Sequence, residues 1–240
     1  MKLALCVPIS WEFVPTPFLI SFASLLSPGR LKVLRELGVE RYFYLFNRSF
    51  PLDLNRNQLA DKALELGADR LLFLDADMTH PPDLVPALVR DSLESGAALV
   101  SALYFKKQPP HPAVSARRCD PSDPQLLTPI DTLDKGLVEC EVIGMGAALI
   151  HREVFAAVPR PWFEYAVYAK TGERTVTEDV TFCDKARAAG FRLLTDTRLV
   201  CGHLRQVEVD ESHWLGFRDL VKDQLAAGTR EEDDAPSALD

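Results

Sequence analysis

Two acidic residues that follow an apolar run are the best candidates for chemistry in this chain. Asp75 and Asp77 lie in the segment LLFLDADMTHPP, residues 71–82. A short run of Leu and Phe bounded by polar residues and proline is typical of a buried parallel strand, so both carboxylates are expected at the carboxyl end of a strand. Ligands bind at that edge of an open α/β sheet. Carboxylate oxygens suit a divalent cation that bridges to a phosphorylated substrate, so the segment predicts a metal-assisted site.

Three other polar groups could join these acids. Arg56 and Asn57 lie in a predicted helix shortly before the acidic strand, where a guanidinium and an amide could meet a nucleotide. Glu178 and Asp179 begin another predicted helix, whose dipole stabilises ionised carboxylates. His203 follows a late strand. Each group alone has an ordinary structural explanation, as a solvated first turn, as helix-start acids or as a structural histidine.

The elements that must position these residues alternate between strands and helices. Strands are expected at 2–9, 41–46, 71–75, 97–103, 137–143, 147–150 and 192–195, and helices from Thr16-Pro17, at 53–66, after Pro81-Pro82 to Gly96, and at 178–189. Such alternation implies βαβ units with right-handed crossovers and a largely parallel sheet. The proline-rich stretch 106–135 reads as a long surface excursion, and Trp214, Phe217, Val221 and Leu225 form a terminal amphipathic stripe.

Composition favours a single α/β domain. With 240 residues, 47% of them apolar, the chain can bury one large core or two small ones. We expect one domain over 1–227, followed by an acidic tail at 228–240 that is predicted to be disordered. The formal net charge of −8 gives no global attraction to nucleic acid or anionic lipid. Five scattered cysteines without a CxxC pair predict free thiols, and an apolar N-terminal run broken by Pro8 predicts no signal peptide. We therefore expect a cytoplasmic protein without a transmembrane segment.

Five motifs occur in an order that resembles a known family. The segments NRNQLADKAL, FLDADM, IGMGAALIHREVF, TEDVTFCDKARAAGFRLLTD and CGH, spread over residues 2 to about 205, look like the family 2 glycosyltransferases of the GT-A fold. Within them the chain most resembles the short single-domain forms common in phage and prophage genomes. The resemblance implies a mostly parallel, Rossmann-like mixed sheet flanked by helices, with a nucleotide-binding half at about 1–105 and an acceptor-side half at about 106–227. Joint occurrence of the motifs outweighs their separate structural explanations.

The resemblance also implies an activity and a role for each motif. Such enzymes move a sugar from a nucleotide-diphosphate donor, here UDP- or GDP-linked, to an acceptor hydroxyl with a divalent metal. Asp179, beside Glu178, matches the general base of an inverting displacement, although a retaining mechanism is possible within the same fold. The metal ligands implied are Asp75, Asp77 and His203, with Asp75 alternatively holding the ribose; an imidazole ligand favours Mn²⁺ and leaves Mg²⁺ possible. The implied nucleotide-sugar site comprises Pro8, Ile9, Arg56, Asn57, Asp75, Ala76, Asp77, Gly144, Met145 and Gly146.

Several assignments stay open at this level. Gly144 and Gly146 fit either a tight turn between strands or backbone placed beside the donor sugar. Trp162 and Phe163 fit either acceptor-stacking aromatics or core anchors. The segment 47–50 (NRSF) stands where family members often place an acid for the nucleobase, so the base is undetermined. The acceptor could be a glycan, a lipid-linked intermediate or modified DNA; the basic residues that could meet its phosphates are Lys106, Lys107, His111, Arg117 and Arg118.

Two rival functions remain. DADMT at Asp75–Thr79 fits the DxDxT signature of haloacid dehalogenase-like phosphatases, with Asp75 as nucleophile, Asp77 as acid/base, and Asp179 with Asp184 as a second acidic pair. That motif normally sits on the first strand, whereas here two predicted strands precede it. The other rival is a non-catalytic module that only binds a sugar nucleotide.

Overall fold

The computed structural model of the protein describes residues 1–10, 12–119, 126–132, 135–167 and 176–206, together with residues 211, 215 and 218. The chain forms two compact units, Met1–Leu204 and Arg205–Asp240. The amphipathic stripe predicted after residue 213 and the acidic tail predicted at 228–240 lie outside the described residues. Among the described residues, no helix has the length and apolar character needed to cross a membrane.

The first unit contains all the described strands and helices that follow. In chain order they are β1 (Lys2–Ile9), α1 (Thr16–Leu25), α2 (Pro28–Glu36), β2 (Arg41–Arg48), α3 (Leu52–Glu65), β3 (Arg70–Leu74), β4 (Met78–Thr79), α4 (Leu84–Ser95), β5 (Leu99–Leu103), β6 (Ala116–Arg118), β7 (Leu127–Pro129), β8 (Leu137–Cys140), β9 (Ala147–His151), α5 (Arg152–Ala157), α6 (Glu178–Ala188), β10 (Leu193–Val200) and β11 (Gly202–His203).

Seven of these strands form one mixed sheet in the order β2-β1-β3-β9-β5-β10-β8. Five of them, β2, β1, β3, β5 and β10, run in the same direction, while β9 and β8 run against their neighbours. Two small sheets accompany it, β4 with β11 and β6 with β7. The mostly parallel α/β sheet expected from the sequence is therefore confirmed, with β9 inserted antiparallel between β3 and β5.

Helices cover both faces of the sheet, which explains why β3 is apolar from Leu71 to Leu74. Leu71 and Phe73 of β3 belong to a core that includes Leu59 of α3, whereas Leu72 and Leu74 belong to a second core with residues of α1, α2 and α4. All five residues of β3 are buried. Because successive side chains of a strand point to opposite faces, a strand covered on both faces has no polar position until it ends. The first polar residue after β3 is Asp75.

The helix ends follow the predicted signals more closely than the helix starts. Gly67, Gly96 and Gly190 stand just after α3, α4 and α6 with φ of 75°, 67° and 89°, the left-handed conformation that glycine adopts without strain. The helix expected at 53–66 begins one residue earlier, at Leu52, directly after Pro51. Helices α2 and α5 and the two small sheets were not predicted, since each is short.

Candidate active site

A cleft opens at the carboxyl ends of β1 and β3, where the sequence predicted a ligand site. It is lined by Pro8, Ser10, Leu52, Asp75, Ala76 and Asp77. Four of these residues were predicted from the sequence, whereas Ser10 and Leu52 were not. Ser10 directly follows β1, and Leu52 begins α3, the helix that follows β2. Residues that follow neighbouring parallel strands lie at the same edge of the sheet, and this rule could have identified both. Ile9 pairs with Arg48 and its carbonyl accepts a hydrogen bond from Asn55 Nδ2 at 3.3 Å.

A buried guanidinium joins the two acidic motifs. Arg56 Nη2 lies 3.2 Å from Asp75 Oδ1, and its Nε donates to Glu178 Oε1 at 3.3 Å. Asp179 Oδ1 lies 3.7 Å from the same Nη2. Arg56 is 1% exposed, so it presents almost no surface to a nucleotide. The expectation that Arg56 lines the nucleotide pocket is therefore corrected: it is the counter-ion that connects α3, β3 and α6 beneath the cleft.

The charge balance of this cluster changes the protonation of its members. Burial raises the pKa of Asp179 well above its ordinary value, and repulsion from Glu178 adds to the rise while Arg56 opposes it. Burial also raises the pKa of Asp75, again against Arg56. Burial alone would lower the pKa of Arg56, but the surrounding carboxylates outweigh it and raise that pKa. One cation thus faces three carboxyl groups, and Asp179 keeps a proton to higher pH than a free aspartic acid.

The glycine pair before β9 is explained by two neighbouring side chains, those of Tyr104 and Met78. Neither Gly144 nor Gly146 is among the described glycines that have a positive φ. The backbone conformation of a turn therefore does not by itself require glycine at these positions. A Cβ on Gly144 would overlap the Tyr104 hydroxyl, and one on Gly146 would overlap Met78 and lie 3.1 Å from Asp75 Oδ2. Gly146 N donates to the Tyr104 hydroxyl at 3.2 Å. Glycine is therefore required at 144 by Tyr104 and at 146 by Met78, and neither interpretation of the sequence included these contacts.

The residue between these glycines connects the segment to the candidate base. Met145 is fully buried, and its backbone N–H donates to Asp179 Oδ2 at 3.2 Å. The other oxygen, Asp179 Oδ1, is buried without a hydrogen-bond partner among the described residues. The carboxyl group is therefore oriented from one side by the 144–146 segment and from the other by Arg56.

Asp77 and His203 are brought together by the small sheet of β4 and β11. Met78 pairs with His203 in that sheet, and Leu204 N donates to the carbonyl of Asp77 at 2.8 Å. His203 Nδ1 lies 2.8 Å from the carbonyl oxygen of Phe105, while its Nε2 lies 3.7 Å from Asp77 Oδ2. The hydrogen bond at Nδ1 places a proton there, so Nε2 is the nitrogen that faces Asp77 and that could bind a metal once it carries no proton. Histidines that ligate metals are commonly oriented in this way.

The donor set fits a divalent metal in part. Asp77 supplies carboxylate oxygen and His203 an oriented imidazole nitrogen, which suit Mn²⁺ or Mg²⁺ completed by water and diphosphate oxygens. Within the described ranges, no group of three or more His, Cys, Asp or Glu side chains is arranged to hold a metal. Because Asp75 is paired with Arg56 instead, its alternative assignment to the ribose is the one that the geometry favours.

Asn57 and the two aromatic residues that were considered for the acceptor, Trp162 and Phe163, have structural contacts. Asn57 Nδ2 donates to the carbonyl of Phe163 at 2.7 Å, and its Oδ1 accepts from Trp162 N and Phe163 N at 3.1 and 3.2 Å. Trp162 and Phe163 are 3% and 0% exposed, and Phe163 stacks on Phe182 with ring centroids 4.4 Å apart. Burial leaves neither ring available to a sugar, so the acceptor-stacking expectation is wrong and the core alternative holds.

The predicted basic cluster of the 106–118 stretch is dispersed. Lys107 pairs with Asp77, Arg118 pairs with Asp184, and Arg117 Nε donates to the carbonyl of Glu139. These side chains are directed to different partners, so they do not present one basic surface to an acceptor.

Comparisons with known proteins identify the fold but not a family. No protein-family model matches the chain, and no curated protein matches it. Among solved structures, the crystal structure of A197 from STIV matches with a TM-score of 0.56 and 21% identity over 86% of this chain and 87% of that one. The crystal structure of GalNAc-T7 with UDP, GalNAc and Mn²⁺ matches with a TM-score of 0.54 and 13% identity. That match covers 86% of this chain but 44% of GalNAc-T7, and the two likenesses together show the GT-A type of fold.

Proposed function

We propose that this chain is a glycosyltransferase that moves a sugar from a UDP- or GDP-linked donor to an acceptor hydroxyl. The observation that carries the proposal is the meeting of Asp75, Asp77, Glu178 and Asp179 with two basic groups at the edge of a GT-A sheet. These residues come from segments more than 100 positions apart in the chain, which a purely structural role for each motif would not require. A neighbouring structure that contains UDP and Mn²⁺ supports the donor class.

The nucleotide diphosphate would occupy the cleft beside Asp75 and Asp77. Pro8, Ser10 and Leu52 would form its walls, with Asp75 accepting hydrogen bonds from the ribose. Asp77 and His203 would hold a divalent ion, Mn²⁺ favoured and Mg²⁺ possible, which when bound neutralises the diphosphate as a leaving group. The 144–146 backbone, kept close by Tyr104, would limit the space for the donor sugar.

Asp179 would accept the proton of the acceptor hydroxyl as it attacks the anomeric carbon from the opposite face, which inverts the configuration. The Met145 N–H and Arg56 orient its carboxylate, and its raised pKa brings its basicity closer to the working pH than an exposed aspartate. Glu178 accepts a hydrogen bond from Arg56 and acts by positioning. The anomeric configuration of the product, determined by NMR, distinguishes inversion from retention.

The proposal is tested by ligand-induced stabilisation. UDP or GDP with Mn²⁺ should raise the melting temperature of the wild-type chain, because a ligand at 100 times its Kd adds about 2.7 kcal/mol of stability. Asp77→Asn should lose the Mn²⁺-dependent part of the effect while Asp184→Asn, whose carboxylate pairs with Arg118, keeps it. Incubation with UDP- and GDP-sugars then identifies the donor by release of the nucleotide.

The rivals predict other outcomes in the same assays. The phosphatase alternative requires hydrolysis of a generic phosphomonoester without binding of UDP or GDP. Structure already weighs against it, since the acidic motif follows the third strand and Asp75 is paired with Arg56 rather than open as a nucleophile. A non-catalytic module would bind the sugar nucleotide without releasing product for any acceptor tried, whether glycan, lipid-linked intermediate or DNA carrying a hydroxylated base.

A further inference from the structure

Lys107 belongs to a loop that brings it to the mouth of the cleft. The loop leaves β5 at Tyr104 and is closed on itself by backbone hydrogen bonds, from Val114 N to the Tyr104 carbonyl at 3.0 Å and from Lys106 N to the Pro112 carbonyl at 2.9 Å. The side chain of Lys107 is 25% exposed. Its position is therefore set by the loop and is not that of a freely moving surface lysine.

The ammonium group of Lys107 lies where a metal bound by Asp77 and His203 would approach. Lys107 Nζ is 2.5 Å from Asp77 Oδ2, and His203 Nε2 is 3.7 Å from the same oxygen. A carboxylate oxygen held at that distance by an ammonium group is part of a charge-assisted hydrogen bond. A divalent cation at the same oxygen would be repelled by the ammonium charge, so both cannot occupy it without displacement of the lysine.

A nucleoside diphosphate changes this balance. It brings two phosphates to the cleft beside Asp77, and an ammonium group released from the carboxylate can pair with one of them. The lysine then contributes to nucleotide binding instead of opposing metal binding. Two ligands that each favour the displaced lysine must assist one another, and thermodynamic linkage makes that assistance reciprocal.

We propose that Lys107 and a divalent metal compete for Asp77 Oδ2, and that the diphosphate of the nucleotide relieves this competition by taking over the ammonium group. This inference rests on the proposed function. Its consequence is that the wild-type chain binds metal weakly until a nucleotide is present, which makes Lys107 a positioning residue that couples the two ligands.

The test compares Lys107→Met with Lys106→Met, an exposed neighbour in the same loop. Binding of Mn²⁺ alone and of Mn²⁺ with UDP or GDP is measured by electron paramagnetic resonance of free Mn²⁺. Lys107→Met should bind Mn²⁺ alone on the order of tenfold more tightly than the wild type, the value of a hydrogen bond to a charged group. The nucleotide should strengthen Mn²⁺ binding less in Lys107→Met than in the wild type, and Lys106→Met should match the wild type.

Lys107→Arg distinguishes the effect of the positive charge from that of the side-chain volume. It keeps the positive charge, so it should keep the weak affinity for Mn²⁺ alone. Tighter Mn²⁺ binding by both Lys107→Arg and Lys107→Met would overturn competition by charge. Equal Mn²⁺ affinities of wild type and Lys107→Met, with nucleotide binding intact, would overturn this inference and leave the proposed function standing. Absence of both Mn²⁺ and nucleotide binding in every folded variant, each checked by its melting transition, would overturn the proposed function as well.

Discussion

Arg56 is the residue on which the charge balance of the candidate site depends. It is the cation that faces Asp75, Glu178 and Asp179, and its own side chain is 2% exposed. Removing one partner of a buried ion cluster is costly because it leaves charge without compensation in a medium of low dielectric constant. The residue predicted from the sequence as a nucleotide contact is thus more important for the geometry of the acids.

We expect Arg56→Met to destabilise the folded chain by about 3–5 kcal/mol at pH 8, as for other buried ion clusters that lose one partner. Without the guanidinium, the pKa values of Asp75 and Asp179, which burial already raises, rise further in the folded state. The folded chain then holds protons that the unfolded chain releases, so stability falls as pH rises. Urea unfolding at pH 5 and pH 8 should therefore show a smaller deficit at pH 5. The exposed Arg160→Met serves as the control, and an equal deficit at both pH values would contradict the charge argument.

We expect the Asp179 carboxyl group to lower the stability of the folded chain near neutral pH and to be required for sugar transfer. Burial raises the pKa of Asp179 in the folded chain above its value in the unfolded chain. At a pH between these two values, the folded chain keeps a proton that the unfolded chain has lost. The stability of the folded chain therefore falls as the pH rises through this range. Asp179→Asn removes this titration. We expect it to melt at a higher temperature than wild type at pH 7.5, with the difference vanishing near pH 4, and to lose roughly 10²- to 10⁴-fold in transfer rate.

Calorimetry and nucleotide-release kinetics test both parts, with donor affinity expected to stay near that of the wild type. Asp184→Asn on the same helix is the matched control, because its carboxylate pairs with Arg118 outside the Arg56 cluster. Activity of Asp179→Asn equal to that of wild type would remove the base assignment. A lower melting temperature at pH 7.5 would show that the Asp179 carboxylate is stabilised by Arg56 more than it is destabilised by burial.

At the scale of elements, the smallest sheet brings two residues of the candidate site together. The two-residue strands β4 and β11 pair Met78 with His203 and Thr79 with Gly202, and this pairing brings the histidine to Asp77. A Cβ on Gly202 would overlap Thr79 Oγ1. Thr79, which the phosphatase signature would require for chemistry, therefore has a packing role.

We expect Gly202→Ala to move β11 away from β4 and to weaken Mn²⁺ binding in the presence of UDP by roughly 10- to 100-fold, the usual cost of disturbing the surroundings of a metal ligand. The double variant Thr79→Ala with Gly202→Ala should restore much of the affinity, because it removes the oxygen that the new methyl group meets. Gly136→Ala, where a Cβ meets no atom within 4 Å, is the control for glycine replacement as such. Failure of the double variant to recover would show that β11 depends on Gly202 for another reason.

These elements also show what a sequence pattern can and cannot predict. The eight residues of β1 and the positions of Gly67, Gly96 and Gly190 follow from periodicity and from the left-handed conformation after a helix. Strands of two or three residues are too short to show a periodic pattern of apolar residues, so the sheet of β4 and β11 could not be predicted from the sequence. Strand β9 was predicted, but its antiparallel place between β3 and β5 results from long-range pairing.

For the whole molecule, the edge of the sheet that carries the site was predictable and the contacts within it were not. Acids after a fully apolar strand indicate the carboxyl end of a parallel sheet, which located Asp75 and Asp77 in the cleft. Burial of Arg56 and the approach of Lys107 depend on segments that meet only after folding. Trp162 and Phe163 illustrate the same limit, since aromatic residues near proline fit a core and a sugar platform equally well in sequence.

The hydrogen bonds of Asn57 suggest where the chain can be joined to another protein in a chimaera. The backbone at Trp162 and Phe163 is fastened to α3 by this amide, and Trp162 Nε1 donates to the Phe155 carbonyl at 2.9 Å. The start of the segment that leads to α6 is thus anchored to α3. Chimaeras that exchange the region after Phe163 for that of another protein of this fold should therefore retain Asn57 together with residues 155–163, because these hydrogen bonds hold the start of the exchanged region against α3.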